Sequence, residues 1–84
     1  MEQEPLGRFL VVDPNVCHGA LTFRGTRILV ADVLDQLAEG LDWDAIIESW
    51  GVGLTHEAIG EAVRLAREAL LTHVDDLKLT RSAV

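Results

Sequence analysis

Between Val30 and Leu70 the apolar residues recur at helical spacing, and glycines cut that run into three pieces. Val30, Val33, Leu34, Leu37, Ala38 and Leu41 fall at i, i+3, i+4, i+7, i+8 and i+11, with Asp32, Asp35, Gln36 and Glu39 between them. This is one amphipathic helix with a single buried stripe. Gly40 supplies a left-handed stop. Asp42 then reads as an N-cap and Asp44 complements the dipole of a second helix, whose stripe is Trp43, Ile46, Ile47 and Trp50. Gly51-Val52-Gly53-Leu54 breaks it. Thr55 caps a third and longer helix, running to about Thr72, with Ile59, Ala62, Val63, Ala66 and Leu70 on its apolar face. Gly60 interrupts the outward side of this helix, at a cost of about 1 kcal/mol relative to alanine.

Upstream the pattern is strand-like. Phe9-Leu10-Val11-Val12 is stopped by Asp13-Pro14-Asn15, which is turn chemistry. Ala20–Phe23 leads through Arg24-Gly25-Thr26 into Arg27–Val30, and Gly25 can take the positive φ of a tight turn. The expected architecture is mainly α: a short N-terminal β arm of two or three strands, then a three-helix, helix-turn-helix bundle. Residues 1–8 are expected to be a flexible tail, residues 9–72 one domain (β arm 9–30, helical part 31–72), and residues 73–84 a C-terminal tail.

At 84 residues one domain is the limit, and a chain so short buries a modest share of its surface, which favours a homodimer or a partner. The 49% hydrophobic content suffices for a core, and no apolar run approaches a membrane span. The single cysteine, Cys17, excludes an intrachain disulfide framework and fits a reducing cytoplasm. Met1-Glu2-Gln3-Glu4-Pro5 lacks the basic-then-apolar layout of a secretory signal. The net charge of −7 is segregated: residues 32–61 hold eight carboxylates and no Lys or Arg, while the segments on either side are weakly basic. A solvated acidic face explains this. So does a design in which the basic ends meet nucleic acid or an acidic partner.

Catalysis has little support. Cys17 and His18 are adjacent, so in an extended segment they face opposite ways. No acid, base and nucleophile can be assembled, and neither a spaced metal-ligand set nor a phosphate loop is present. The expectation is a non-enzyme with no cofactor, no metal and no catalytic residue. Trp43 and Trp50 read as core or interface anchors.

Val12-Asp13-Pro14, His18-Gly19, Phe23-Arg24-Gly25-Thr26-Arg27-Ile28-Leu29-Val30, Val33-Leu34, Leu37-Ala38-Glu39-Gly40, Ile46-Ile47 and Leu54-Thr55…Ile59…Ala62 together resemble the family called domain of unknown function 433. The most specific element is Arg24-Gly25-Thr26-Arg27-Ile28 just before the first helix. The resemblance implies a homeodomain-like helix-turn-helix behind a short β arm. It also implies an antitoxin of a type II toxin–antitoxin module, which sequesters a PIN-like ribonuclease toxin and binds its own operator as a dimer.

On that reading the candidate DNA contacts are Arg24, Arg27, Thr55, His56 and Arg64. Arg24 and Arg27 have a competing role as neutralisers of the domain's own acidic helices. Glu57 and Glu61, at the end of the helix that would enter a groove, should meet phosphates badly. The candidate partner contacts are Leu71, Val74, Leu77 and Leu79, which lie off the buried stripe or beyond it. The alternative is a protein-interaction adaptor of the same fold that does not bind DNA.

Overall fold

The computed structural model describes residues 4–51 and 53–76. Three short strands, β1 (Glu4–Leu6), β2 (Leu10–Val12) and β3 (Leu21–Phe23), precede three helices, α1 (Val30–Ala38), α2 (Trp43–Trp50) and α3 (His56–Thr72). The sheet is antiparallel in the order β1-β2-β3, with Leu6 opposite Leu10 and Leu10 opposite Phe23. This register puts Leu10 and Phe23 on the face that packs against the helices, where they join Val33, Ile46, Ile59 and Ala62 in the core.

The arm differs from expectation in which segments are strands. Arg27–Val30 is not one: Leu29 makes a single bridge to Thr22, and α1 has begun at Val30. The third strand comes instead from Glu4–Leu6, within the segment expected to be a flexible tail. Pro5 obscured it, because proline lacks an amide donor and argues against a strand. At the edge of a sheet that missing donor costs nothing.

The helix boundaries follow the local signals. α1 ends one turn before Leu41: the Gly40 amide bonds to the Leu37 carbonyl and the Leu41 amide to that of Gln36, a Schellman closure around Gly40 at φ 96°. The Asp42 carboxylate accepts the Ala45 amide at 2.8 Å, and the Thr55 hydroxyl accepts that of Ala58 at 3.1 Å. α1 and α2 are tied by Gln36, which accepts from the Trp50 indole at 2.7 Å and donates to Ser49 at 3.2 Å. Trp50 is thus a half-buried anchor, whereas Trp43 lies at the surface.

Candidate binding surfaces

The loop from Phe23 to Ile28 is closed by its own hydrogen bonds. The Thr26 hydroxyl donates to the Phe23 carbonyl at 2.8 Å and accepts the Ile28 amide at 2.9 Å, while the Phe23 amide bonds to the Ile28 carbonyl at 3.1 Å. Gly25, at φ 79°, takes the left-handed corner. The turn therefore needs glycine and threonine at these two positions and leaves Arg24 and Arg27 exposed. It also supports the link between α2 and α3: a Cβ on Gly53 would stand 2.6 Å from the Thr26 methyl carbon.

A second arrangement joins α3 to the other end of the arm. Glu61 accepts the Arg8 amide at 2.8 Å and the Phe9 amide at 2.6 Å, clasping the β1–β2 turn. Partial burial favours the protonated form of this carboxyl. The two amides and the charges of Arg64 and Arg8 outweigh that effect and hold its pKa below the usual value. The Arg8 guanidinium lies 5.2 Å from the centre of the Phe9 ring, and the Arg24 amide bonds to the Phe9 carbonyl at 2.7 Å. Two arginines from separate stretches of chain, Arg8 and Arg64, thus act on one carboxylate. In a protein of net charge −7 this is a local excess of cations.

The family model for proteins of unknown function designated DUF433 matches residues 10–66, most of the chain. The chain belongs to the DUF433 family. No curated protein and no solved structure matches it significantly. In this DUF433 chain the matched span holds Thr26, Gly53 and Glu61, while Arg8 and Phe9, whose amides Glu61 receives, precede it.

Of the DUF433 residues chosen from sequence as DNA contacts, Arg64 acts on Glu61, and Arg24 is exposed, its main-chain amide on the Phe9 carbonyl. Arg27 lines a cavity with Val11 and Thr22, on the sheet face turned away from the helices. Thr55 uses its hydroxyl as the α3 cap, and His56 pairs with Asp44 at 2.8 Å, its ring centroid 6.2 Å from that of Trp43. Of the partner contacts, Leu71 and Val74 are exposed, as is Leu70. Leu77 and Leu79 lie outside the described residues.

Sequence reasoning missed Arg8 as a second cation acting, with Arg64, on Glu61, and it read Glu61 as a carboxylate that would meet phosphates badly at a groove. A clasp between residues 52 and 53 positions apart has no local signature. Gly60 did carry a signal, since glycine inside a helix needs a reason. Its absent side chain leaves room for the Trp43 ring edge and the Arg64 guanidinium, which lie 3.8 Å and 3.3 Å from where a Cβ would be. Among the described residues no group of three or more His, Cys, Asp or Glu could hold a metal ion, and no helix is long and apolar enough to cross a membrane.

Proposed function

We propose that this DUF433 protein is the antitoxin-like component of a type II toxin–antitoxin module, acting in the cytoplasm. It binds and neutralises a PIN-like ribonuclease toxin and, as a homodimer with a homeodomain-like helix-turn-helix, binds operator DNA. The observation that carries the DNA half is the pairing of Arg8 and Arg64 around Glu61, on α3. Phosphate affinity comes from such clusters and needs no basic chain overall. Glu61 does not oppose it, because its charge is already met by two amides and two arginines. The partner half is supported by the far end of α3 and the residues just after it, where Leu70, Leu71 and Val74 are exposed among the described residues.

The adaptor reading is favoured by one feature: Thr55 and His56, at the end of α3 that would enter a groove, are engaged locally, and Glu57 beside them is exposed. A mobility-shift titration of the protein with the DNA upstream of its own gene separates the two. Operator binding gives a shift whose affinity falls steeply as salt rises. Absence of a shift at low salt leaves the adaptor. Co-purification with the product of the neighbouring gene tests the partner half, and its failure with an intact, folded chain overturns that half.

A further inference from the structure

The core-facing stripe of α3 outlasts the core. Ile59 and Ala62 are buried, Leu65 and Ala66 are half-buried, and Leu70, which continues the row of Ala62 and Ala66 at a spacing of four, is 56% exposed. Alongside the stripe a groove of about 190 Å³ opens between α3, α1 and the sheet, with Leu6, Leu21, Leu34, Leu65, Ala66 and Ala69 in its walls. Every residue that lines it is Leu, Val or Ala. Small-molecule sites carry a few polar groups that orient the ligand, and none of these side chains can do so. A cavity of about 150 Å³ holds a benzene molecule, so the groove has room for the end of a leucine side chain.

A second copy of this chain fits the groove on three grounds. Leu70 stands one turn beyond Ala66 on the helix that forms the groove, so a twofold axis between antiparallel α3 helices brings each Leu70 over the Ala66 of the other copy. Such a contact completes both grooves at once, and the alanines at 62, 66 and 69 let the two helices approach closely. Second, the exposed large apolar side chains are gathered here: among the described residues they are Leu6, Val63, Leu70, Leu71 and Val74, with Trp43 alone lying elsewhere. A stable interface takes about 800 Å² from each subunit, about a seventh of the 5908 Å² that the chain presents, and so needs one continuous face of this kind. Third, two chains of net charge −7 repel where their acidic surfaces meet. The stretch from Val63 to Val74 lies outside the carboxylate-rich residues 32–61 and carries Arg64 and Arg67 against Glu68 alone.

We infer that two copies of the chain associate through this face, antiparallel along α3, each Leu70 seated in the other copy's groove beside Ala66 and Leu6. The inference rests on the homodimer of the function proposed above and assigns its contact surface. Leu71 follows Leu70 by one residue, about 100° round the helix, and does not line the groove. The dimer therefore leaves Leu71 free for a different partner.

The test uses the full chain without DNA or toxin. Sedimentation equilibrium gives the oligomeric state, and isotope-filtered NOEs in a mixture of labelled and unlabelled chain report contacts between copies. The expected result is a dimer in which the Leu70 methyls of one copy contact Ala66 and Leu6 of the other. Leu70→Glu is expected to weaken association by about 100-fold, since each copy would then bury a carboxylate in an apolar groove. Circular dichroism should show its helix content unchanged, because the position is exposed in the single chain. Leu71→Glu is expected to leave the dimer intact. A dimer indifferent to Leu70→Glu, or one whose NOEs place another surface between the copies, overturns this inference and leaves the homodimer of the proposed function standing. So do NOEs that put residues 77–84 of the same chain in the groove. A chain that stays monomeric up to about 1 mM overturns both the inference and that homodimer, while toxin binding keeps its own test.

Discussion

The carboxylate of Glu61 receives the main-chain amide of Phe9 at 2.6 Å, joining residues 52 positions apart through one side chain on α3. With the Arg8 amide on the other oxygen, it is a polar link between the edge hairpin and the helical part. Glu61→Ala is expected to destabilise the fold by about 1–2 kcal/mol, moderated because the freed amides lie near solvent. Glu61→Gln can accept only one of the two amides well and should fall between, as read by urea unfolding.

The same clasp sets a pH dependence. The Glu61 carboxyl is held below its usual 4.5, so in acid the unfolded chain takes up this proton before the folded one does. Its stabilising contribution is complete above that value and is lost as pH falls through the lowered folded-state pKa. Unfolding free energy measured from pH 6 down to pH 3, an interval of about 3 units, should drop more steeply for wild type than for Glu61→Gln.

Gly53 is required twice, by its φ of 87° and by the Thr26 methyl 2.6 Å from where a Cβ would stand. Gly53→Ala is expected to cost about 2–3 kcal/mol. Adding Thr26→Ser removes the colliding methyl and keeps the hydroxyl that closes the turn. It should recover part of that loss, which a double-mutant cycle by chemical denaturation would measure.

Gly60 should behave in the opposite sense. Its backbone is ordinary helix, and the nearest obstacle to a Cβ, the Arg64 guanidinium at 3.3 Å, sits at the tip of a flexible side chain. Gly60→Ala is expected to stabilise the protein by about 0.5–1 kcal/mol. It should also change the Trp43 fluorescence, because that ring rests beside the same point.

If the proposed DNA contact is right, Arg8→Ala and Arg64→Ala should each lower the slope of log affinity against log salt by about 0.9, one phosphate apiece. Thr55→Ser should leave the slope unchanged, since it keeps the helix cap. A slope indifferent to both arginines would remove the surface around Glu61 from the DNA interface.

Most of the secondary structure was legible because its causes are local. The breaks at Gly40 and Gly51–Gly53, and the caps Asp42 and Thr55, act within a few residues of themselves, and α1, α2 and α3 begin and end accordingly. The strands were read less well. Three-residue strands carry almost no periodicity, and Glu4–Leu6 became one because Leu6 and Leu10 meet across a turn.

The amino-acid order alone settled the helical periods, the cap positions and the left-handed corner at Gly25, since each rests on hydrogen bonds or burial patterns among near neighbours. Tertiary folding decided which charges remain available. Glu61 and Glu57 are both acids on α3, yet only Glu61 meets the hairpin amides. Arg24 and Arg27 are three residues apart, yet the amide of one meets the Phe9 carbonyl while the other borders a cavity on the far face of the sheet. Those outcomes depend on which distant backbone lies within hydrogen-bonding reach, a distance that exists only after the arm has packed on the helices.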